Sequence, residues 1–528
     1  MNYERLKGRF HRYSIPFFLV LIVFFYLFNG IAYIKSQSIT SDEGSFYNYA
    51  VRYLKGNPER INPRGDNSKM PVSALNTIPR VIESLITPGM QKTDMGVSDI
   101  LRGRFVTLLF SVLILLLVFF WSNQLYGKKA GLFAAFLFSF CPNNLAAATL
   151  VTTDSYSVFF LILSMYLLWR FCNTRSTKNF IALSFVVAIS QLVKQSLFHL
   201  YILVPFLLLM YFVSSSKGNR GISWPRLAAL FCLINFFVLN AGYYLNQSFF
   251  KLGDYSFMSN LFLSVQKIFP SWLPLPFPKP FVDGLDMAKY YDQIGGGIDQ
   301  VSSFGKVTIL GEDYTGEGVW YYYFVSILFK TPISYFVFLL IAFFIYVRSF
   351  NAREFIGKEF FLLAPIAYFL VLMSFFYQTH CGIRHIIFIY PLLFVFMSSI
   401  VIDAKHYLMQ LLILLLSVFL ITSVLKYYRN YYPYTNELIL DKKNAYKYVG
   451  ASNLDFMHGQ LFLKKYLQEH PEVRLATKQP SVGTFLISVE DYMDIWNRHQ
   501  YDWIARFKPI GHVAHCGLLI RVSENDLK

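Results

Sequence analysis

RGRFVTLLFSVLILLLVFFW, residues 102–121, decides the class of this protein. After Arg104 the stretch carries no charge, and its length matches the roughly 20 apolar residues that take an α-helix across a bilayer. Backbone polar groups find no water in hydrocarbon, so such a run must bond to itself as a helix. Working outward, about eleven runs meet the same length criterion. They are 14–34, 103–122, 130–149, 153–170, 179–197, 199–214, 226–246, 332–347, 359–376, 384–402 and 407–425. Lys194, Gln195 and His199 interrupt the pair over 179–214. The first run is too long for a signal-peptide core and lacks a small-x-small cleavage site, so it reads as a retained helix.

Composition agrees. Of 528 residues 55% are hydrophobic and 15% charged, against about a quarter charged in soluble chains. The deficit is filled by 55 Phe and 37 Tyr, which suit lipid-facing helices and membrane interfaces. The formal charge of +17 sits largely in short loops between apolar runs, with no block of five basic residues. Nucleic acid is therefore not an expected partner. Cys141, Cys172, Cys232, Cys381 and Cys516 show no C-x-x-C spacing, so neither a metal or redox site nor a disulfide framework is read from them. No cofactor is expected.

Arg5, Lys7, Arg9 and Arg12 precede the first run, and Lys128-Lys129, Arg170, Arg175, Lys178, Lys217, Arg220 and Arg226 fall in alternate loops. Arg348, Arg353, Lys358 and Lys405 continue the series. The positive-inside rule puts all of these in the cytoplasm. Three long segments, 35–102, 247–331 and 426–528, then face outward. The expected fold is mainly α: a polytopic transmembrane bundle over 1–425, followed by a small extracytoplasmic α/β domain over 426–528. Helices are predicted near 44–55 and 73–86, and the stripe of VSALNTIPRVIESLI suits a membrane surface. SWLPLPFPKPFVDGLD and the GGG at 295–297 predict an irregular middle loop, and GVWYYYFVSILFK an interfacial helix with an aromatic belt. In the tail, TFLISV and CGLLIRV predict short strands.

The first outward loop opens with Asp42-Glu43. On a helix adjacent side chains point about 100° apart, so one carboxylate can face a substrate while the other fixes the loop. A single carboxylate suffices as general base for an inverting transfer to a hydroxyl. The bland alternative is N-capping of the helix that follows. Lys69, Arg102, Arg104, Lys330, Arg384 and His385 are the basic candidates on the same side. Arg104 and Arg384 each begin an apolar run, at headgroup level, where a forked guanidinium suits phosphate oxygens; interfacial anchoring is the competing explanation. Asp154, after Thr152-Thr153, reads as an N-cap or a substrate contact. Lys194 either snorkels to the interface or pairs with a carboxylate.

These segments together resemble the protein O-mannosyltransferase-like branch of the GT-C membrane glycosyltransferases (glycosyltransferase family 39). The matching stretches are TSDEGSFYNYA (40–50), KMPVSALNTIP (69–79), RGRFVTLLFSVL (102–113), LFSFCPNNLAAATLVTTDSYSVFFLILSMYLL (137–168) and QLVKQSLFHL (191–200). LNAGYYL (239–245), WLPLPFPKPFVDGLD (272–286), GVWYYYFVSILFKTP (318–332), CGIRHIIFIYPLL (381–393), YPYTNEL (432–438) and SNLDFMHGQLFLKKYL (452–467) follow. In the last, Phe456 stands where relatives carry Trp, and Met457-His458 diverge locally.

The resemblance implies a bacterial inner- or plasma-membrane enzyme that transfers a sugar, mannose or another hexose or pentose, from a polyprenyl-phosphate donor. It implies Asp42 as base, Glu43 as its partner, Arg104 (with Arg102 beside it) on the donor phosphate, and Lys330 and Arg384-His385 near the site, without metal. The acceptor is left open among protein, glycolipid and glycan. A flippase for a lipid-linked sugar is the rival, although the internal repeats and broken midplane helices of transporters are not evident.

Overall fold

The computed structural model describes residues 3–87, 89, 96–214, 223–295, 306–316, 318–404, 406–495 and 498–527. Gly296 and Gly297 of the GGG run, and the loop cations Lys217, Arg220 and Lys405, lie outside the described residues.

Each apolar run is helical, yet the runs are not eleven equal spans. Among the described residues, six helices are long and apolar enough to cross a membrane: Ser14–Ser36, Val97–Tyr126, Asp154–Thr174, Gln195–Ser214, Trp224–Gly242 and Tyr407–Leu425. Tyr322–Lys330 and Ile333–Arg348 make a seventh if counted as one span, bent by 106°. Thr177–Ser190, Phe360–Phe375 and Ile389–Ile402 are shorter, and the run 130–149 divides into Lys128–Ser139 and Pro142–Ala147. Prolines explain two of the interruptions. Pro142 and Pro332 push Cys141 and Thr331 into extended backbone. The broken backbone is tolerated because protein encloses it: every residue of Pro142–Ala147 is buried.

Two ends of the bundle can be told apart by contacts. At one, Trp169 Nε1 donates to the Gly357 carbonyl (2.9 Å) and Tyr126 OH to Glu359 (2.8 Å). Lys128, Arg170 and Lys358 lie within two residues of these contacts, so three of the cations expected on one side share one end of the bundle. At the other end, Ser38 N donates to the His458 carbonyl (2.9 Å), tying the first loop to the tail.

The middle segment is more ordered than its prolines suggest. It holds the helices Asn260–Ile268 and Lys279–Gln293 and a hairpin of Lys306–Ile309 with Glu312–Thr315. Pro280 sits in the first turn of its helix, where no N–H is needed. The hairpin turns on Leu310 and Gly311, both at positive φ (52° and 86°). Tyr322 and Tyr323 are fully buried rather than forming a lipid-facing belt. Ile78–Ile86, by contrast, buries none of its residues and leaves Ile82, Leu85 and Ile86 exposed, as a surface-lying helix requires.

After the last long helix, Tyr427, Tyr431 and Tyr434 pack into the bundle core. The chain then forms a four-stranded sheet with a core of its own around Phe485, Ile487, Ile504 and Ile520. Its strand order is Val473–Leu475, Gly483–Ser488, Gly517–Val522, Gly511–Val513, with only the first pair parallel. The runs TFLISV and CGLLIRV fall on the two central strands.

Candidate active site

Asp42 and Glu43 are neighbours with opposite fates. Glu43 starts the helix Glu43–Leu54 and points inward, with no exposed side-chain surface. Its carboxylate accepts from Thr40 N (2.8 Å), Thr40 Oγ1 (3.1 Å), Val151 N (2.9 Å), Arg104 Nε (2.8 Å) and Arg104 Nη2 (2.6 Å). Asp42 occupies the cap position but accepts no capping bond. Its side chain is 33% exposed and its Oδ2 meets Arg384 Nη1 at 3.0 Å. Capping is therefore not what either carboxylate does.

Arg104, expected on the donor phosphate, directs its N–H groups to protein acceptors. Its side chain is wholly buried, and the N–H groups not given to Glu43 reach the Ser38 carbonyl (2.6 Å) and the Gln37 carbonyl (3.3 Å). The cause is local. The helix starts at Val97, not near 103, with Asp99 Oδ2 accepting from Gly96 N (2.9 Å). Arg104 thus lies in the helix interior and faces protein. Arg102, on the exposed face, pairs with Glu83.

Other cations gather around Asp42 and its partner Arg384. The Arg384 guanidinium lies over the Phe456 ring (4.5 Å), and Phe456 stacks on Tyr432 (5.6 Å, 11°). Burial opposes the Arg384 charge, but Asp42 and then Asp154 outweigh it and raise its pKa. Lys69 is buried over the Phe46 ring (3.8 Å), with Ser68 Oγ 3.1 Å from Nζ. Burial pulls its pKa down, against the opposing charge of Asp42. Lys330 Nζ donates to the carbonyls of Tyr432 and Asn453, both at 2.6 Å. Asp154 does not cap its helix: Oδ1 pairs with Lys194 (2.6 Å) and Oδ2 accepts from Thr152 Oγ1 (3.2 Å). His385 Nδ1 lies 3.4 Å from Tyr323 OH, and burial, with Lys194 and Arg384 nearby, keeps the imidazole neutral.

Two hollows meet at these residues. A crevice with room for about one water, ≈ 20 Å³, is lined by Asp154, Lys330, Arg384, Tyr432 and Asn453 among others. A larger cavity of ≈ 510 Å³ has apolar walls, including Phe198, Ile202, Leu372 and Phe376. Its polar margin includes Lys194 and His385. The Asp154–Lys194 pair and the Arg384-His385 dipeptide thus border both spaces.

The tail supplies residues that reading the sequence did not single out. Asn453 accepts from Ile383 N (2.9 Å) and donates to Tyr322 OH (3.0 Å) and the Val449 carbonyl (2.7 Å), fixing the turn that bears Arg384. Beneath it, burial and then Glu490 push Asp455 up to about 7, while burial holds His458 down to about 3. Their 4.0 Å approach is accordingly not an ion pair at neutral pH. The folded pKa of Asp455 lies above its unfolded value, so its contribution is full in acid, falls from about pH 4 upward and is gone once pH has risen through about 7. Asp455→Asn, which mimics the protonated acid, should flatten the fall in Tm between about pH 4 and 7. An unchanged slope in thermal unfolding would refute this.

Among the described residues Asp494, His499 and Asp502 could together reach a cation, but they belong to the tail and not to the Asp42 cluster. The five cysteines are free thiols.

Residues 94–240 match the family model of dolichyl-phosphate-mannose-protein mannosyltransferases. No curated protein matches the chain significantly. ArnT from Cupriavidus metallidurans in the apo state aligns over 97% of this chain and 99% of its own, with a TM-score of 0.51 at 10% identity. The apo oligosaccharyltransferase of Archaeoglobus fulgidus aligns over 81% of this chain with a TM-score of 0.49 at 13% identity. This chain spans 56% of that protein's length. The fold of this chain is the one that ArnT carries.

Proposed function

We propose that the protein is a membrane glycosyltransferase that moves mannose, or another hexose or pentose, from a polyprenyl-phosphate donor to an acceptor hydroxyl on the extracytoplasmic face. The observation that carries this reading is the partly exposed Asp42 paired with Arg384 and near the buried Lys69, where Arg384 shares a crevice with Asp154 and Lys330 and the adjoining Lys194 and His385 edge an apolar cavity. The cavity suits a polyprenyl tail and its polar margin a phosphate. Asp42 takes the proton of the acceptor hydroxyl, and the freed oxygen attacks the anomeric carbon. The bond from that carbon to the phosphate oxygen breaks with inversion, and its electron pair leaves on the phosphate. Cations placed where that charge grows lower the barrier more than they strengthen ground-state binding.

The test is transfer by detergent-solubilised protein from a polyprenyl-phosphate sugar to added acceptor, followed by mass spectrometry. A new glycosidic bond without any membrane gradient is expected. A flippase makes no such bond. Within this mechanism Lys69→Met should lower kcat/KM for the donor about tenfold or more, the worth of a charge-assisted hydrogen bond. Unchanged donor kinetics would remove Lys69 from the phosphate site.

A further inference from the structure

We infer that Arg384 is shared between the base and the donor phosphate, so that donor binding is what releases Asp42 for proton transfer. The inference rests on the proposed function and adds an order of events to it. Asp42 Oδ2 accepts from Arg384 Nη1 at 3.0 Å. A carboxylate oxygen turned onto a guanidinium is not turned toward an acceptor hydroxyl, because that lone pair is already committed.

The surrounding cations differ in how firmly they are held. Arg104 is fixed by the buried Glu43 carboxylate in two hydrogen bonds. Lys194 is held at 2.6 Å by Asp154, whose side chain is 8% exposed. Lys330 is spent on two carbonyls at 2.6 Å. Arg384 has the softer arrangement: one nitrogen on Asp42, which is 33% exposed, and its Nε on the Cys381 carbonyl at 3.2 Å. Its guanidinium rests on the face of Phe456, a platform on which it can turn without losing contact. It also lines the crevice shared with Asp154 and Lys330. A phosphate offers a guanidinium a forked site stronger than one hydrogen bond to a carboxylate. Linkage is reciprocal: if phosphate draws Arg384 away from Asp42, then Asp42 weakens phosphate binding.

Sugar-free undecaprenyl phosphate, bound to the full-length protein in detergent, tests this through a double-variant cycle. Asp42→Asn should bind it roughly fivefold more tightly than wild type, the order expected on freeing a partly exposed ion pair. Arg384→Gln should bind it more weakly, and Asp42→Asn should bring no gain in the Arg384→Gln background. Equal affinity of Asp42→Asn and wild type overturns the inference. A gain that persists without Arg384 also overturns it, since it would reflect only relief of nearby negative charge. Binding too weak to detect in every protein would overturn the donor assignment itself, and this inference with it.

Discussion

Asp42→Asn is expected to lower sugar transfer by roughly 10²–10⁴-fold, the usual worth of a positioned general base, while the protein still folds and binds donor. Asparagine keeps the shape of aspartate but cannot accept the hydroxyl proton. The adjacent carboxylate offers no rescue. Glu43 is fully buried and accepts from Thr40, Val151 and Arg104, so it is neither exposed nor free to move. Because Arg384 loses its partner in this variant, donor affinity should hold or rise, and the loss should fall on kcat. Single-turnover transfer from a lipid-linked sugar measures the step directly. A rate within a few-fold of wild type would exclude Asp42 as base.

Adjacency alone predicted that Asp42 and Glu43 would face different ways, and they do: Glu43 is buried against Arg104 and Asp42 is partly exposed. What the sequence could not carry was the helix start at Val97, which turns Arg104 inward. Helix ends are set by caps, and a glycine with an acid three residues on, here Gly96 and Asp99, is a weak cap signal. The apolar runs were legible because length in hydrocarbon leaves little choice but helix. The breaks at Pro142 and Pro332 could have been foreseen from proline chemistry. The burial of Tyr322 and Tyr323 could not, since a tyrosine cluster suits an interface and a hydrogen-bonded core alike. Nor could Asn453 and Phe456 be placed beside Arg384, because nothing local in a chain reports contacts over some 70 residues. The resemblance marked their segment without saying what it touches.

Glu43→Ala is expected to destabilise the fold by about 3–5 kcal/mol, the cost of leaving a buried charge without its partner. Arg104 has no exposed surface, so water cannot take the place of the carboxylate. Thr40 N and Val151 N lose their acceptor as well, and with them the link between the first loop and the chain just before the helix Asp154–Thr174. Thermal unfolding in detergent should show a large fall in Tm, and Arg104→Met should show a comparable one, since it strands Glu43. The pair Glu43→Leu with Arg104→Met removes both charges and should recover part of the loss, but not all. The Thr40 and Val151 amides and the Ser38 carbonyl stay without partners. The sharpest contrast is with the neighbouring position. If Asp42→Asn loses turnover at wild-type Tm while Glu43→Ala loses Tm, the acidic pair holds one catalytic and one structural carboxylate. A Glu43→Ala protein as stable as wild type would mean that Arg104 is not trapped as described, and would return it to the candidates for the donor phosphate.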